Sequence, residues 1–458
     1  MITLDKELIK KYDKPGPRYT SYPTAPHFTE KFTHGMYIDE IVRTNNPDNK
    51  NALSLYFHIP FCDTLCYFCG CNTFITNNSD RVSKYLEYVK EEIDLLSTYI
   101  DVERPVAQIH WGGGTPTHLT PEQIRDLKSY INESFNVSEN AEQSCEIDPR
   151  ELTKEHLTAL RESGFNRVSL GVQDFNPVVQ KAVNRVQPEE ITRKVIDWVR
   201  ELKFESLNLD LIYGLPFQTV DEFEKTVQKI IGISPNRIAL FNFAYVPWMK
   251  SHMKMIKEET LPGAEEKLDI LKMAIEKLTD GGYEFIGMDH FAKPEDDLSK
   301  ALKSKKLYRN FQGYSTHSGT DLYAFGITGI SQHGNVYSQN FKTEKEYYEA
   351  IDRGYLPISK GYLLSDDDIL RRTVIMKIMC DFELNFASID ECFNINSKEY
   401  FSAALKKLQP MLEDNLLTLD EEKLIISEKG RMVIRNIAMC FDGYIERNED
   451  NNKYSKTV

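Results

Sequence analysis

Short apolar stretches that alternate with helical stretches constrain the fold of this chain more than any other feature. Each is rich in β-branched and aromatic residues, as β-strands are. The candidate strands are LSLYFHI (53–59), AQIHW (107–111), CEID (145–148), RVSLGV (167–172), SLNLDLI (206–212), RIALFNF (237–243) and YEFIGM (283–288). Because strands that alternate with helices pair in parallel through crossover connections, the pattern predicts an α/β fold with a partial or complete (β/α) barrel.

The stretches between these strands carry helix signals. Residues 81–100 place apolar side chains on one helical face, as expected for a helix that packs on a sheet. Thr120 and Gln123 have the spacing of a capping box, in which each side chain binds the other residue's backbone N–H. Thr219 and Glu222 repeat that spacing. We therefore expect helices that start near residues 121 and 220.

The pattern changes after about residue 300. Residues 309–335 are rich in Gly, Ser, Thr and aromatics and predict a ligand-facing loop region. Helical segments are expected near 366–380 and 397–416, followed by a strand, a turn, a strand and a helix over 415–441. This order is typical of a winged helix, but its acidic neighbourhood favours a structural lid or accessory domain over DNA binding.

The predicted domains are therefore four. They are an N-terminal extension over the active site (1–50), a barrel (51–300), a substrate-facing loop region (301–360) and a mostly helical, winged-helix-like C-terminal domain (361–458).

Charge and hydropathy exclude several classes of partner. The formal net charge is −14, which repels nucleic acid and anionic lipid, so a bound anion needs positive charge concentrated locally. The first residues lack the apolar core of a signal peptide, and no uncharged apolar run reaches membrane-spanning length. We expect a cytoplasmic protein with no nucleic-acid partner and no membrane insertion, and for which a monomer is sufficient.

Four of the eight cysteines stand within ten positions: Cys62, Cys66, Cys69 and Cys71. The other four are scattered, unlike a small disulfide framework, so reduced thiols are expected. A structural zinc site remains an alternative, but it normally needs two separated cysteine pairs. A loop directly after a strand, among apolar neighbours, suits an iron–sulfur cluster held by Cys62, Cys66 and Cys69, with one iron left open.

Polar and glycine-rich motifs follow six successive predicted strands, where barrel chemistry usually collects. Gly112, Gly113 and Gly114 form either a plain tight turn or a place where backbone amides approach a ligand. Glu146 and Asp210 are either strand-end caps or groups that hold ribose hydroxyls or an amino group. Gln173 and Arg185 are individually weak signals, because such residues are often solvated.

The spacing C-x3-C-x2-C after the first strand, with Phe68 before the third cysteine, resembles the radical S-adenosylmethionine superfamily. The resemblance implies a partial (β/α)6-type barrel and a [4Fe–4S] cluster. It also implies that the open iron binds S-adenosylmethionine, whose reductive cleavage gives a 5′-deoxyadenosyl radical.

Longer motifs resemble the oxygen-independent coproporphyrinogen III oxidase family over nearly the whole chain. They are GPRYTSYPTA (16–25), YFHIPFCDTLCYFCGCN (56–72), HWGGGTPTHL (110–119), EIDPREL (146–152), GFNRVSLGVQDFN (164–176), NLDLIYGLPFQT (208–219), FIGMDHFAKPEDDL (285–298), RNFQGYSTH (309–317) and RNIAMCFD (435–442). A haem-binding chaperone of the same superfamily is the alternative. It shares the three cysteines but lacks Cys71 and the 16–25 segment.

The resemblance implies oxidative decarboxylation of two propionates of coproporphyrinogen III to vinyl groups, giving protoporphyrinogen IX in haem biosynthesis. It implies two S-adenosylmethionine molecules, an electron donor protein and an electron acceptor. The first molecule would contact Tyr56, Gly113, Glu146 and Ile330, and the second Phe68, Gly114, Thr115, Gln173, Arg185, Asp210 and Ala244.

The chemistry needs cationic or donor groups for the propionates and the exclusion of water. The candidates are Arg18, Arg309, Asn310 and Gln312, with a solvated surface as the alternative for both arginines, and the role of His317 is left open. Cys71 is predicted not to bind iron, because a fourth ligand would block the open iron. The resemblance implies that Cys71 is nevertheless needed for activity.

Overall fold

A computed structural model describes residues 5–45 and 51–445. Its described residues form two compact units. The barrel unit comprises Phe28–Gly263 and Gly319–Leu363, and the helical unit comprises the described parts of Met1–His27, Ala264–Ser318 and Leu364–Val458. The predicted domains 1–50 and 361–458 extend into residues 1–4, 46–50 and 446–458, which lie outside the described chain.

The strands of the described chain are numbered in chain order. They are β1 (Leu53–Ile59), β2 (Phe61–Cys62), β3 (Phe74–Ile75), β4 (Val106–Gly113), β5 (Val137–Ile147), β6 (Arg167–Gln173), β7 (Ser206–Tyr213), β8 (Arg237–Asn242), β9 (Glu284–Gly287), β10 (His290–Ala292), β11 (Tyr308–Asn310), β12 (Gly313–Ser315), β13 (Asp321–Phe325), β14 (Ile330–His333), β15 (Val336–Asn340), β16 (Ile358–Leu363), β17 (Glu383–Asn385), β18 (Leu417–Leu419) and β19 (Lys423–Ile426).

The α-helices are numbered in the same way. They are α1 (Lys6–Tyr12), α2 (His34–Thr44), α3 (Ser79–Ser97), α4 (Pro121–Ser134), α5 (Lys154–Glu162), α6 (Pro177–Ala182), α7 (Glu189–Glu201), α8 (Val220–Ile233), α9 (Ala264–Asp280), α10 (Asp297–Lys303), α11 (Glu344–Asp352), α12 (Asp366–Asp381), α13 (Phe386–Phe393), α14 (Ser397–Tyr400), α15 (Ser402–Lys407), α16 (Gln409–Glu413), α17 (Glu428–Arg431) and α18 (Ile434–Met439).

The barrel unit is built on one twisted sheet. Its strands lie in the order β16-β15-β14-β13-β1-β4-β5-β6-β7-β8. From β13 through β8 every pair is parallel, and helices connect the successive strands β1, β4, β5, β6, β7 and β8. The predicted partial (β/α)6 barrel is therefore confirmed. Parallel strands point their carboxyl ends the same way, which gathers the predicted motifs at one edge.

Local sequence explains where the connecting helices begin. Thr120 and Gln123 form the predicted capping box at the start of α4. Thr219 caps α8 by accepting a hydrogen bond from the Glu222 N–H. The Glu222 carboxylate, however, accepts from Asn176 and Lys225 instead of completing a second box. The helix starts expected near 121 and 220 are confirmed.

Three local expectations differ from the structure. β5 begins at Val137, eight residues before the stretch predicted as a strand at 145, because its first part is polar and has no strand signature. The stretch 283–288 does not form another parallel strand, since β9 pairs antiparallel with β10 in a hairpin. The prediction of a loop over 309–335 is wrong, because this region contains β11 to β14.

The structure also divides the described residues differently from the four contiguous domains predicted. The reason is that β13 pairs in parallel with β1 and carries β14, β15 and β16 into the barrel unit, although all four follow residue 300.

The helical unit has its own continuous apolar core. Helices α12 and α18 and the small sheet β17-β19-β18 supply much of it, through residues such as Ile375, Leu424 and Ile437. The predicted order of strand, turn, strand and helix at the C-terminal end is confirmed by β18, β19 and α18. The segment 397–416 contains three short helices, α14 to α16. No helix in the described part of the chain is long and apolar enough to cross a membrane.

Candidate functional site

A cleft of about 170 Å³ lies in the barrel unit, at the carboxyl ends of the strands. Most of the site residues predicted in the barrel unit line it, including Cys71, which is predicted not to bind iron. They are Cys62, Cys66, Phe68, Cys69, Cys71, Gly113, Gly114, Thr115, Glu146, Gln173, Arg185 and Asp210. The structure therefore brings together residues that are scattered over about 150 positions of the sequence.

The cysteine loop follows β1 and is held at both ends. Short strands β2 and β3 pair with each other, which closes the loop between Cys62 and Phe74. The Tyr67 N–H donates to the Val183 carbonyl at 3.0 Å, and the Asn184 side chain donates to the Leu65 carbonyl at 2.8 Å. These contacts fix the loop against the segment after α6, so the sulfur positions are set by the scaffold.

Cys69 and Cys71 form a pair. Their mutual interaction lowers the pKa of the Cys69 thiol and, together with burial, raises that of the Cys71 thiol well above its ordinary value. Their backbone carbonyls are bound by His252 Nε2 and Lys250 Nζ, each at 2.8 Å. Cys69 is thus the better thiolate of the two, as a metal ligand must be.

Cys62 has a different environment. Its sulfur lies 3.4 Å from Thr115 Oγ1, and burial raises the pKa of its thiol to about 12. Desolvation therefore keeps this thiol protonated in the free protein, and binding of a metal would have to displace that proton.

Cys66 lies beside two guanidinium groups. Arg150 Nη2 is 3.4 Å and Arg185 Nη1 is 3.6 Å from its sulfur. Asp148 accepts from both arginines, at 2.7 Å from Arg150 Nη2 and 2.8 Å from Arg185 Nη1. Although burial opposes ionisation, these two cations hold the pKa of the Asp148 carboxyl at about 2.

The glycine turn after β4 packs closely on its surroundings. The Gly113 N–H donates to Glu146 Oε2 at 3.1 Å, and the Gly114 N–H donates to the Ile59 carbonyl at 2.8 Å. A Cβ at Gly113, whose φ is +111°, would lie 2.5 Å from the His58 ring. The glycines therefore allow a close approach to the protein's own strands, and their contact with a cofactor stays a prediction.

Glu146 lies near the end of β5 and lines the cleft. It accepts from the Gly113 N–H and lies 3.4 Å from His110 Nε2. Burial favours the neutral acid, but the hydrogen bonds and charge of His110 outweigh it and lower the pKa of Glu146. Glu146 is thus a carboxylate that can accept hydrogen bonds from a ligand.

Asp210 lies on the neighbouring side of the cleft. It accepts from Ser169 Oγ at 3.0 Å and from Asn208 Nδ2 at 2.7 Å. Burial, and secondly the charge of Glu146, raise the pKa of Asp210 to about 7. Two carboxylates with different proton affinities therefore face one cleft.

Gln173 and Arg185 are more than solvated surface residues. Gln173 has a φ of +65°, an uncommon backbone conformation for a residue other than glycine. Its Oε1 atom and Arg185 Nε are buried without a hydrogen-bond partner. Because buried polar atoms are normally paired, these two atoms fit a polar ligand in the cleft.

The spacing of the possible ligand side chains distinguishes a zinc site from a [4Fe–4S] cluster. Within residues 5–45 and 51–445, no three His, Cys, Asp or Glu side chains lie close enough to hold one metal ion. A single zinc ion needs such convergence. A [4Fe–4S] cluster does not, since each thiolate binds a different iron. The three cysteines fit a cluster better than zinc.

Three predicted cofactor residues of the barrel unit do not line the cleft. Tyr56 lies behind it, with its hydroxyl 3.1 Å from His58 Nδ1 and its ring stacked on His110. Ala244 is exposed after β8, and Ile330 begins β14. Their contact with a cofactor stays a prediction.

The residues predicted for the propionates belong to the helical unit. Arg309 is buried, its Nε donates to the Arg18 carbonyl at 3.3 Å, and its Nη1 has no partner. Arg18 pairs with Asp289. Burial, and then the charge of Arg18, lower the pKa of nearby Arg435 to about 10. Arg435 thus lies near Arg18, Arg309 and Asp289. Three guanidiniums near one carboxylate leave a local excess of positive charge, as the sequence predicts for an anion site.

The β11–β12 hairpin presents the other candidates. Asn310 Oδ1 accepts from the Gln312 N–H at 2.9 Å, and the Gln312 side-chain nitrogen is buried without a partner. The His317 N–H donates to Ser315 Oγ at 3.1 Å. Gln312, like Arg309, thus retains an unused donor.

Known proteins resemble this chain over its whole length. A radical SAM superfamily model matches residues 56–230, and a HemN C-terminal domain model matches residues 364–433. Oxygen-independent coproporphyrinogen III oxidase from Synechocystis is 46% identical, covering 100% of this chain and 98% of that protein. The enzyme of that name from Escherichia coli K12 is 43% identical, covering 100% and 99%. This chain belongs to the oxygen-independent coproporphyrinogen III oxidase family.

The fold comparison agrees with membership in this oxidase family. The structure of coproporphyrinogen III oxidase (HemN) from Escherichia coli, described as a radical SAM enzyme, has a TM-score of 0.91 and 42% identity, covering 97% of this chain and 99% of that one. The oxidase family implies an enzyme that uses a [4Fe–4S] cluster and S-adenosylmethionine. These relatives do not favour the haem-chaperone alternative.

Sequence reasoning missed four polar residues at or beside the cleft. Asp148 and Arg150 line it, and His58 and His110 lie behind Glu146. Asp148 and Arg150 belong to the EIDPREL motif, and a charged pair directly after a barrel strand was a usable signal. The histidines lie within strands and look like ordinary strand residues.

Proposed function

We propose that this protein catalyses the oxidative decarboxylation of two propionate side chains of coproporphyrinogen III to vinyl groups without oxygen, giving protoporphyrinogen IX in haem biosynthesis. The observation that carries the proposal is the strand-end cleft lined by Cys62, Cys66 and Cys69 in a member of the oxidase family.

In this proposal, Cys62, Cys66 and Cys69 are the ligands of the [4Fe–4S] cluster. When bound, the reduced cluster and S-adenosylmethionine supply a radical that removes a hydrogen atom from the β-carbon of a propionate. The substrate then loses CO2 and gives one electron to an acceptor. No acid catalyst is needed for that step, so the protein's task is to bind, orient and exclude water.

The cleft contains groups suited to two S-adenosylmethionine molecules. Glu146 and Asp210 are acceptors for amino or hydroxyl groups, while Arg185 Nε and Gln173 Oε1 are an unused donor and acceptor. We assign Tyr56, Gly113, Glu146 and Ile330 to the molecule bound at the cluster. The second molecule is assigned Phe68, Gly114, Thr115, Gln173, Arg185, Asp210 and Ala244.

Cys71 takes a role other than iron binding in this scheme. Its thiol stays protonated in this scheme, since the neighbouring Cys69 and burial raise its pKa well above its ordinary value. A protonated thiol in the cleft can position the second cofactor or relay a proton or an electron.

Arg309 and Gln312 are the proposed binding residues for the substrate carboxylates, assisted by Arg18 and Asn310. Their support is the pair of buried, unused donors, Arg309 Nη1 and Gln312 Nε2. A carboxylate would satisfy both, and bonds between charged groups are about twice as strong as neutral ones.

The remaining partners follow from the electron balance. Each vinyl group formed needs one electron from a low-potential donor protein and delivers one to an acceptor. All the predicted motifs are in one chain, so a monomer is sufficient. We place the reaction in the cytoplasm, because thiols are kept reduced there and this chain has eight cysteines that form no disulfide.

Product analysis tests the proposed reaction. The purified protein is reconstituted anaerobically with iron and sulfide, then incubated with S-adenosylmethionine, dithionite and coproporphyrinogen III. Mass spectrometry should detect the divinyl product together with CO2 and 5′-deoxyadenosine. Failure of a fully reconstituted sample to form 5′-deoxyadenosine would refute radical chemistry, whereas tight haem binding without decarboxylation would favour a chaperone.

A binding measurement tests the number of cofactors. Equilibrium dialysis of the reconstituted protein against labelled S-adenosylmethionine should give two sites per chain. Asp210→Asn should weaken one site while retaining the other. A single site in the wild type would overturn the assignment.

A further inference from the structure

Arg150 has no part in the chemistry described above, yet it is among the most constrained side chains of the cleft. Its side chain is 15% exposed, and three of its N–H groups donate to Asp148: the backbone N–H at 3.1 Å, Nε at 3.0 Å and 3.2 Å to the two carboxylate oxygens, and Nη2 at 2.7 Å. The same Nη2 reaches the Cys66 sulfur at 3.4 Å. The guanidinium is therefore fixed in one orientation.

Arg185 approaches the same sulfur from the other side of Asp148. Its Nη1 lies 3.6 Å from Cys66 and 2.8 Å from Asp148 Oδ2, and its Nη2 donates to the Gly171 carbonyl at 2.7 Å. Arg150, Asp148 and Arg185 thus form a continuous arrangement, which we call the Asp148 bridge. It carries two positive charges and one negative charge.

The three cysteines consequently differ in their surroundings. Cys66 has two guanidinium groups within 3.6 Å of its sulfur, Cys62 lies beside the neutral Thr115 hydroxyl, and near Cys69 the basic side chains bind backbone carbonyls rather than the sulfur. Hydrogen bonds to cluster sulfurs and nearby net charge are the main means by which a protein sets a cluster's reduction potential. Reduction adds one negative charge, which nearby cations stabilise.

We propose that Arg150 is a positioning residue that, through the Asp148 bridge, holds the Cys66 thiolate and raises the reduction potential of the cluster. This inference rests on the proposed assignment of Cys66 as a cluster ligand. An external low-potential donor should therefore reduce the cluster more easily than it would reduce a cluster held by the three thiolates without these cations.

The test measures the midpoint potential of the reconstituted full-length protein, by the EPR signal of the reduced cluster at a series of solution potentials. Arg150→Gln should lower the equilibrium constant for reduction about tenfold, which is about 59 mV for one electron. Arg150→Lys keeps the positive charge but cannot bind the Asp148 carboxylate in a bidentate manner. Its midpoint potential should therefore lie between those of Arg150→Gln and the wild type.

Asp148→Asn provides the opposite perturbation. It removes the negative charge of the bridge while both arginines remain, so it should shift the potential upward. Arg125→Gln is the matched control, because it removes a 43% exposed arginine of α4 that pairs with Glu162, and it should leave the potential unchanged. Iron and sulfide contents should stay equal to wild type in all four variants.

The outcomes distinguish the electrostatic role of the Asp148 bridge from the assignment of Cys66 as a cluster ligand. Unchanged potentials, or a shift of both Arg150→Gln and Asp148→Asn in one direction, would overturn the electrostatic role. If Arg150→Gln loses iron, then Arg150→Lys and Asp148→Asn still decide the sign. Full iron content in Cys66→Ala would instead refute Cys66 as a ligand, whatever the potentials of the other variants.

Discussion

Glu92 is a buried carboxylate whose ionisation should control the pH dependence of the barrel unit's stability. It is 3% exposed and lies on α3. It accepts from the Gly326 N–H at 2.7 Å, the Tyr347 hydroxyl at 2.6 Å and Asn340 Nδ2 at 2.7 Å. Burial outweighs these three donors and raises the pKa of Glu92 from 4.5 to about 7.

The sign of the effect follows from proton binding. Between pH 4.5 and 7 the folded protein binds a proton at Glu92 that the unfolded chain has released, so the free energy of unfolding falls as pH rises across this range. At 1.36 kcal/mol per pH unit, the complete loss is about 3 kcal/mol. Glu92→Gln cannot ionise and should not show this loss.

Denaturant unfolding of the cluster-free protein at pH 5 and pH 7.5 measures the difference. The chain has three tryptophans, Trp111, Trp198 and Trp248, and all lie in the barrel unit, so their fluorescence reports on that unit. Wild type should lose about 2 kcal/mol more than Glu92→Gln between the two pH values, since part of the titration lies below pH 5. Glu87→Gln, on the exposed side of α3, is the control with the same charge change and should behave as wild type. Equal pH dependence in wild type and Glu92→Gln would refute the reasoning.

Three further results are expected. Cys71→Ser should keep wild-type iron content and cluster absorbance while turnover falls roughly a hundredfold, the scale of a lost proton-transferring group; loss of iron would contradict this. S-adenosylmethionine binding should tighten about tenfold from pH 6 to 8, as Asp210, with a pKa of about 7, ionises, and dialysis of Asp210→Asn should show no such dependence. Gly113→Ala should cost roughly 1–3 kcal/mol of unfolding free energy, since φ is +111° and the Cβ would meet His58. Gly232→Ala, with open space around it, should cost nothing; equal losses in both variants would contradict the packing argument.

The central strands could be predicted because their own residues carry the signal. β1 matches the predicted 53–59 residue for residue, and β6, β7 and β8 match within one residue at each end. Both faces of a parallel sheet are covered, so such strands are almost continuously apolar. The first part of β5 is polar and is held as a strand by pairing with β4, a tertiary effect that no local pattern contains.

The strands β13 to β16 escaped prediction for a related reason. Their glycines, serines and polar residues are typical of loops, and pairing to β1 determines their conformation. YEFIGM has the same local composition as the barrel strands, yet β9 forms a hairpin with β10. Periodicity identifies a strand but not its partner.

The site was predictable where motif and topology agree. The three cysteines lie within one short motif, each strand-end residue lies within its own motif, and parallel strands bring the ends of these motifs together. Contacts that depend on side-chain reach across strands were not predictable. Examples are the link from Arg150 to Cys66 and the use of the Gly113 amide by Glu146.

The position of β1 between β4 and β13 has a consequence for synthesis of the chain. β1 ends at Ile59, but one of its two neighbours ends at Phe325, so the strand that leads into the cysteine loop keeps an open edge until more than 260 further residues have been made. An unpaired apolar edge is a site for aggregation. A ribosome-bound or truncated chain that stops before residue 321 should therefore need a chaperone, and cluster insertion should follow release of the complete chain.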